Sequence, residues 1–437
     1  MAQRILILGG GFGGIYAALQ LEKTFAREEN VEVTLINQDN YLLFSPMLPE
    51  VASSSIEAKH IITPIREFFR KARFMDSKVA AIDFEKRLVH ASHCPQCMDF
   101  SLEFDHLVLA LGSVTSFHGL PGVAEHALPL KTLADAMALR NHVIDLLEHA
   151  DIIEDAETRE QLLTVVVAGA GFAGVEAAAE IHDFLRRAKR FYPSVRAEEV
   201  RLVLVTAASR ILPLMAEDLA AYAHRALLRR GLEVRLKTAI SRASSVGVDL
   251  QDGSHIPTRT LVWTAGIAPN PLLASLPCRK ERGRVVVNEF LEIPEHPGVW
   301  AVGDCAYICD SKTGRPHPPT AQHAVRQGRR VAENILAASR GRPKKPLAFS
   351  SLGQLVPLGR RSAIAEILGF KFRGFFAWWL WRTIYLSKLP GLGRKIRVAL
   401  DWTLDLFLPR DIVLLKTLLK TTREEMIAEK ARERSSP

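Results

Sequence analysis

The sequence predicts an α/β protein made of two parallel βαβ units followed by a basic, α-rich C-terminal region. Three observations carry that prediction. A glycine-rich turn joins an apolar strand to a helix at residues 9–14, and the same arrangement returns at 169–174, about 160 residues later. Further short apolar strands each run straight into a glycine. Beyond residue 340 the composition changes: residues 340–437 hold 20 Lys/Arg against 8 Asp/Glu, whereas residues 1–339 hold 37 against 40. The net charge of +9 therefore belongs to the last quarter, which points to an anionic partner surface there.

Taken in order, Ile5–Leu8 reads as a strand, Gly9–Gly14 as a turn, Ile15–Phe25 as a helix by its apolar spacing, and Val31–Ile36 as the second strand. The duplicate runs through strand Leu163–Ala168, turn Gly169–Gly174, helix Val175–Leu185 and strand Arg201–Val205. Strands are also expected at Leu107–Ala110, Leu261–Trp263 and Val299–Val302. Helices are expected from Thr132 to Ala150 and from Ala321 to Ala338. Residues 342–346 read as a linker. A hairpin is expected between Leu88 and Phe104, and four of the six tryptophans (Trp378, Trp379, Trp381, Trp402) follow the linker among basic residues.

With 437 residues, two or three domains are expected. A chain that is 48% hydrophobic and 24% charged is not a disordered or fibrous one. Five cysteines, unevenly spread, make no disulfide framework. A strand-like run at residues 3–8 leaves no signal peptide before it, so a reducing, cytosol-facing location is expected. No run reaches the roughly 18 uncharged apolar residues of a spanning helix.

Both turns fit G-x-G-x-x-G between strand and helix, the Rossmann-like dinucleotide fingerprint. In the first, Gly9 permits the tight turn, Gly11 the approach of a pyrophosphate and Gly14 close helix–strand packing, with Phe12 and Gly13 between them. Gly169, Gly171 and Gly174 repeat these roles around Phe172 and Ala173. Two such sites suggest one flavin and one nicotinamide nucleotide. The strand ending in Gly303-Asp304 brings a carboxylate to a flavin ribityl chain. That makes the first unit the FAD site and the second the NAD(P)H site. The plainer reading of Asp304 is a turn or helix-cap aspartate. The ribose positions depart from the usual acid: Asn37 in the first unit, Thr206 in the second, with Arg210 four residues on. NADH is the expected donor, and NADPH is not excluded. The expected domains are 1–118 with 271–342 for FAD, 119–270 for NAD(P)H, and 343–437 as a membrane-associating or dimerising region.

Residues 37–70 contain no cysteine, which excludes the close redox pair of disulfide reductases. Cys94 and Cys97 come later, near His90 and His93. A zinc site, a redox pair and an unliganded hairpin all fit them; the spacing is too compressed for a usual zinc finger, and no metal is expected. Reduced flavin would then serve a diffusible acceptor. The segment Phe370–Arg382 mixes aromatics with cations, as at a lipid headgroup boundary. A second candidate helix, Asp411 to about Ile427, carries Ile412, Leu415 and Leu419 on one face; packing on its own domain or on a second subunit is the alternative. No nucleic-acid motif accompanies the charge, so nucleic acid is not an expected partner.

These pieces resemble the type II NADH dehydrogenases over nearly the whole chain. The resemblance rests on the two glycine loops, Phe44–Val51, Leu107–Ser113, Leu130–Leu133, Gly174-Val175-Glu176, Val262–Gly266, Val302–Asp304 and, most discriminatingly, Pro319–Ala324 with Gln327-Gly328. It implies a glutathione-reductase-like flavoprotein architecture, FAD and NADH as cofactors, two-electron reduction of a membrane quinone without proton pumping, a homodimer, and a peripheral place on the cytoplasmic face of the cell membrane. It also implies that Ala321 and Gln322 line the acceptor site by the flavin, that Glu176 stands near nicotinamide and flavin, and that Ala110, Gly112 and Gly266 lie along the cofactors. Glu176 also reads as a helix first-turn carboxylate. Leu111 replaces the usual threonine of its turn, and Val325 and Arg326 stand where some relatives carry polar residues. The runner-up function is an FAD-dependent reductase of a soluble carrier such as ferredoxin. A slow NAD(P)H-binding sensor is a third.

Overall fold

The computed structural model describes residues 3–25, 30–93, 98–310, 314–349 and 352–415. They form two compact units. The first comprises residues up to Leu43, Ile62–Val114 and Ile267 to residue 349; the second comprises Phe44–Ile61, Thr115–Gly266 and the residues from Leu352 on.

The first unit is organised by a five-stranded parallel sheet. Its strand order is Val299–Ala301, His106–Leu109, Gln3–Leu8, Val31–Asn37, Arg73–Asp76. Strand Gln3–Leu8 is central, and its apolar residues Ile5, Leu6, Ile7 and Leu8 are all buried. A strand covered on both faces needs such a continuous apolar run. Helix Phe12–Thr24 follows, buried along Ile15, Ala17, Ala18 and Leu21. Helix Ala321–Ser339 packs on it closely because Gly328 and Gly13 meet with no room for a Cβ. The expected hairpin is present as Leu88–His93 and Met98–Glu103, with Lys78–Asp83 as a third antiparallel strand.

The second unit repeats the plan. Its parallel sheet runs Ala127–Pro129, Thr260–Trp263, Thr164–Ala168, Arg201–Val205, Glu233–Arg235. Strand Thr164–Ala168 is buried throughout. Helix Phe172–Ala188 follows the second glycine turn. Helix Leu133–Ile152 begins at a capping box, with Thr132 and Asp135 satisfying each other's backbone N–H groups. The C-terminal part adds a three-stranded antiparallel sheet (Gly353–Pro357, Ala363–Ile367, Phe370–Arg373) and two helices, Gly374–Lys388 and Leu392–Phe407.

The expected helices and strands are present, with ends moved by a few residues. Both loop helices start earlier than their apolar spacing suggested, at Phe172 instead of Val175 in the second, because the glycine loop itself supplies the first turn. Glu176 consequently lies more than a turn into its helix, which removes the first-turn reading of its carboxylate. Helix Leu392–Phe407 is a finding of the structure. Among the described residues no helix is long and apolar enough to cross a membrane.

Candidate functional site

The first site is built around Gly9–Gly14. Gly9 has φ +112°, the left-handed region open to glycine, and the Gly9 N–H donates to the Ile36 carbonyl at 2.8 Å. A Cβ on Gly14 would collide with the Gly9 carbonyl, so the helix seats tightly on the loop. Gly11 is the helix N-cap. Open space adjoins it, no side chain caps the first turn, and no acid lies in that turn. Backbone N–H groups beside open space at a helix start suit a pyrophosphate. Gly169, Gly171 and Gly174 reproduce each feature in the second unit: φ +98° at Gly169, a clash awaiting any Cβ on Gly174, and open space at Gly171. On this observation the residues present fit two dinucleotides. Phe12 and Phe172 open the two helices, with Gly13 and Ala173 next.

Asn37 ends the second strand and turns back onto the loop. Its Oδ1 accepts from the Gly10 N–H at 2.8 Å, and its Nδ2 donates to the Asp39 carbonyl at 2.8 Å. The side chain fixes the loop as much as it faces any ligand. Thr206 is buried, and its Oγ1 accepts from the Ala208 N–H at 3.3 Å. Arg210 donates to the Pro213 carbonyl at 2.9 Å. Gly266 is packed against His118 and Ser116, which gives it a steric reason of its own.

Within the first unit the structure brings Ala110–Ser113 to Gly303-Asp304. Ser113 Oγ donates to Asp304 Oδ2 at 2.6 Å. Gly112 has φ +68° and open space beside it. The Gly303 N–H donates to Gln327 Oε1 at 2.8 Å, which ties helix Ala321–Ser339 to the strand carrying Asp304. A crevice of about 200 Å³ lies here, lined by Gly303, Asp304, His317, Thr320, His323 and Gln327 among others. Ala321 and Gln322 open the helix at its edge. His323 is buried, its Nδ1 is 2.7 Å from Thr320 Oγ1, and burial followed by the nearby His317 pushes its pKa down to about 4. It is therefore neutral at ordinary pH.

Within the second unit, Glu176 and Glu180 are one helical turn apart on helix Phe172–Ala188. Helix Leu48–Ala52 packs against this helix and presents Glu50. Glu50 Oε1 accepts from Trp402 Nε1 at 2.8 Å, while its buried Oε2 has no hydrogen-bond partner. Glu180 Oε2 accepts from Ser53 Oγ at 3.0 Å and from Arg410 at 3.0 Å. Arg410 also donates to Asp405 at 2.9 Å and to the Ser53 carbonyl at 3.2 Å. Burial, then the charges of Glu50 and Glu180, hold the Glu176 carboxyl well above the usual range. Burial leaves Glu180 raised too, with Arg410 pulling against it.

This cluster was missed in the sequence except for Glu176. The available signal was the i, i+4 spacing of Glu176 and Glu180; nothing local marks Glu50, Trp402 or Arg410 as their neighbours. The aromatic segment divides on folding. Trp378, Trp381 and Trp402 are buried in the second unit, whereas Phe370, Phe375, Phe376 and Trp379 are exposed. Cys94 and Cys97 lie outside the described residues, as does most of the Asp411–Ile427 segment, including Leu419. His90 and His93 pair within the hairpin unit, with Ser101 and the Asp76 carbonyl.

The chain matches the family model for pyridine nucleotide-disulphide oxidoreductases over residues 3–328, and that for the NDH2 C-terminal domain over residues 352–411. It is 30% identical to the type II NADH:quinone oxidoreductase Ndh of Mycobacterium tuberculosis, over 98% of this chain and 94% of that one. The chain belongs to the type II NADH dehydrogenases. A probable NADH dehydrogenase of Dictyostelium discoideum is 31% identical over 94% of this chain and 91% of its own. The NDH2 structure of Plasmodium falciparum in complex with NADH superposes with a TM-score of 0.88, covering 94% of this chain and 100% of that one at 18% identity. That likeness shows that the fold is shared. The α/β flavoprotein architecture with a C-terminal domain particular to this family is thus the one the sequence predicts.

Proposed function

We infer that the chain is an FAD-dependent NADH:quinone oxidoreductase that moves two electrons to quinone without pumping protons. The observation that carries the reading is the pairing of two complete glycine loops with a C-terminal domain of the type II NADH dehydrogenase kind. A soluble-carrier reductase would need the first and not the second. FAD, when bound, takes hydride from NADH and hands both electrons to the acceptor.

The chain's own residues supply binding and orientation. Gly9–Gly14 with Asn37 receives FAD, and Asp304, steadied by Ser113, holds its ribityl chain; Ala110, Gly112 and Gly303 give the backbone approach. Gly169–Gly174, with Phe172, Ala173, Thr206 and Gly266, receives NADH. The fixing of Arg210 on a backbone carbonyl keeps it from reaching freely for a 2′-phosphate. Glu176 positions the nicotinamide, and Ala321 with Gln322 borders the acceptor. Domain boundaries at 1–118 with 271–342, 119–270 and 343–437 go with these roles.

The enzyme is a peripheral membrane protein, and its anchoring surface is the C-terminal region. Leu392, Ile396, Leu400, Leu404 and Phe407 are exposed along helix Leu392–Phe407, at the spacing of one helical face. Phe375, Phe376 and Trp379 are exposed on the preceding helix, and Lys388, Arg394, Lys395 and Arg397 accompany them. An apolar face edged by cations suits a headgroup boundary. The membrane face is the cytoplasmic one and the assembly a homodimer. Steady-state NADH oxidation in vesicles, with and without a quinone analogue, tests the function. Turnover that depends on quinone supports it; NADH oxidation that ignores quinone and follows ferredoxin instead refutes it. Ile396→Glu with Leu400→Glu is expected to leave the protein in the supernatant after vesicle sedimentation.

A further inference from the structure

Transfer of hydride from NADH and formation of a quinol leave one proton to be found: NADH + H⁺ + quinone gives NAD⁺ + quinol. The hydride brings both electrons and one hydrogen, so the second hydrogen is taken from the medium in each turnover. The Proposed function assigns no residue to that proton, and the inference below rests on that reading.

We propose that Glu50 is the proton reserve behind Glu176, carried protonated in the resting enzyme and refilled from water after each turnover. The geometry is that of a group with nowhere else to place its charge. Glu50 is 5% exposed, and one carboxyl oxygen is spoken for by Trp402 while the other is buried without a partner. Every element packed against it contributes a charged or titratable group. From helix Phe172–Ala188 come Glu176 and Glu180, both of which oppose a further negative charge. From helix Gly374–Lys388 comes Arg382, which lies over the Trp378 ring at 3.9 Å and the Trp402 ring at 4.8 Å. The same helix brings Tyr385, whose hydroxyl the Glu176 charge acts on. From helix Leu392–Phe407 come Trp402 and Asp405, and beyond it Arg410, whose forks are already committed to Glu180 and Asp405. From helix Leu133–Ile152 comes Arg140, bound to Ser54 Oγ at 2.6 Å and to Asp411. The cations are thus taken up by other acids, and Glu50 is left with burial and like charge. These push its carboxyl up to about 8, so it is neutral at pH 7 and open to loss of its proton just above.

The step is a proton transfer only. When Glu176 gives its proton toward the acceptor, the O–H of Glu50 breaks and one forms on Glu176; Glu50 is then reprotonated by water. No electron moves between the two residues. Glu50 is a positioning residue in this account, because it acts through Glu176.

The test uses the FAD-loaded enzyme. Infrared difference spectra of wild type should show a protonated carboxyl band at pH 7 that disappears through a midpoint near 8 and is absent in Glu50→Gln. Stopped-flow should show quinone-driven flavin reoxidation about tenfold slower in Glu50→Gln relative to the NADH half-reaction, with the alkaline fall of the rate lost, as for removal of a group acting in proton transfer. Glu50→Asp should recover part of the rate. Should Glu50→Gln not fold, Trp402→Phe serves: losing the hydrogen bond that favours the carboxylate moves both the band and the alkaline limb to higher pH. A carboxyl band unchanged by both variants, or equal slowing of both half-reactions, overturns the proposal. Wild type that never reduces quinone would instead overturn the function on which it rests.

Discussion

Replacing Arg410 by Ala removes the cation at the centre of the second unit's polar core. The Arg410 side chain is 3% exposed and donates to Glu180 Oε2, Asp405 Oδ1 and the Ser53 carbonyl. Deleting one member of a buried ion pair costs about 3–5 kcal/mol, because the other charge stays buried without its partner. Here Asp405 keeps Arg187, whose guanidinium is 2.6 Å from Oδ1, so the loss falls mainly on Glu180. We expect a loss of about 3 kcal/mol, the lower end of that range. Urea unfolding of the FAD-loaded protein, followed by tryptophan emission, reads the right place, since Trp378, Trp381 and Trp402 are buried in this unit. Arg410→Lys should recover less than half, because an ammonium cannot reproduce the forked donors. The deficit should shrink as pH falls, since a protonated Glu180 no longer needs the cation. A loss under about 1 kcal/mol, the level of a surface pair, would refute the reading of this cluster as a buried, charge-matched core.

Three other outcomes follow from the same geometry. Gly14→Ala should yield protein with little or no bound FAD, because a Cβ there meets the Gly9 carbonyl; flavin absorbance per protein checks this, and wild-type flavin content would contradict it. Asp304→Ala should weaken flavin retention on dilution, with Ser113→Ala showing a smaller effect in the same direction, since Ser113 acts only by holding the carboxylate. For Glu50 the sign is opposite to that of an ordinary surface acid. The folded state keeps its proton up to about 8, while the unfolded chain releases it near 4.5. Its stabilising contribution is therefore full at acid pH and lost as pH rises between those values. Glu50→Gln should gain on wild type by up to about 1.4 kcal/mol per pH unit across that window. Parallel stability curves for the two proteins from pH 5 to 8 would contradict it.

The two βαβ units are legible in the sequence because their signals are local. A glycine that needs φ +112°, a second with open space and a third with no room for a Cβ occur at fixed spacing, and each reports a backbone requirement. Asp304 is legible for a similar reason, at the end of a strand. The Glu50, Glu180, Trp402 and Arg410 cluster is not, since its members are up to about 360 residues apart and meet only through packing. Trp378, Trp381 and Trp402 show the reverse error. Aromatics beside cations suit a lipid boundary, and tertiary packing turned three of them inward, two beneath the Arg382 guanidinium. The amphipathic face of Leu392–Phe407 was there to be read at i, i+4 spacing, but the more cationic segment further on drew the attention.

The most direct test of the central claim is anaerobic stopped-flow absorbance of the flavin, mixed first with NADH and then with a quinone analogue in lipid vesicles. The account requires the flavin to bleach with NADH and to recover at a rate that rises with quinone and is fast enough to sustain steady-state turnover. A flavin that bleaches and then stays reduced in the presence of quinone would contradict it.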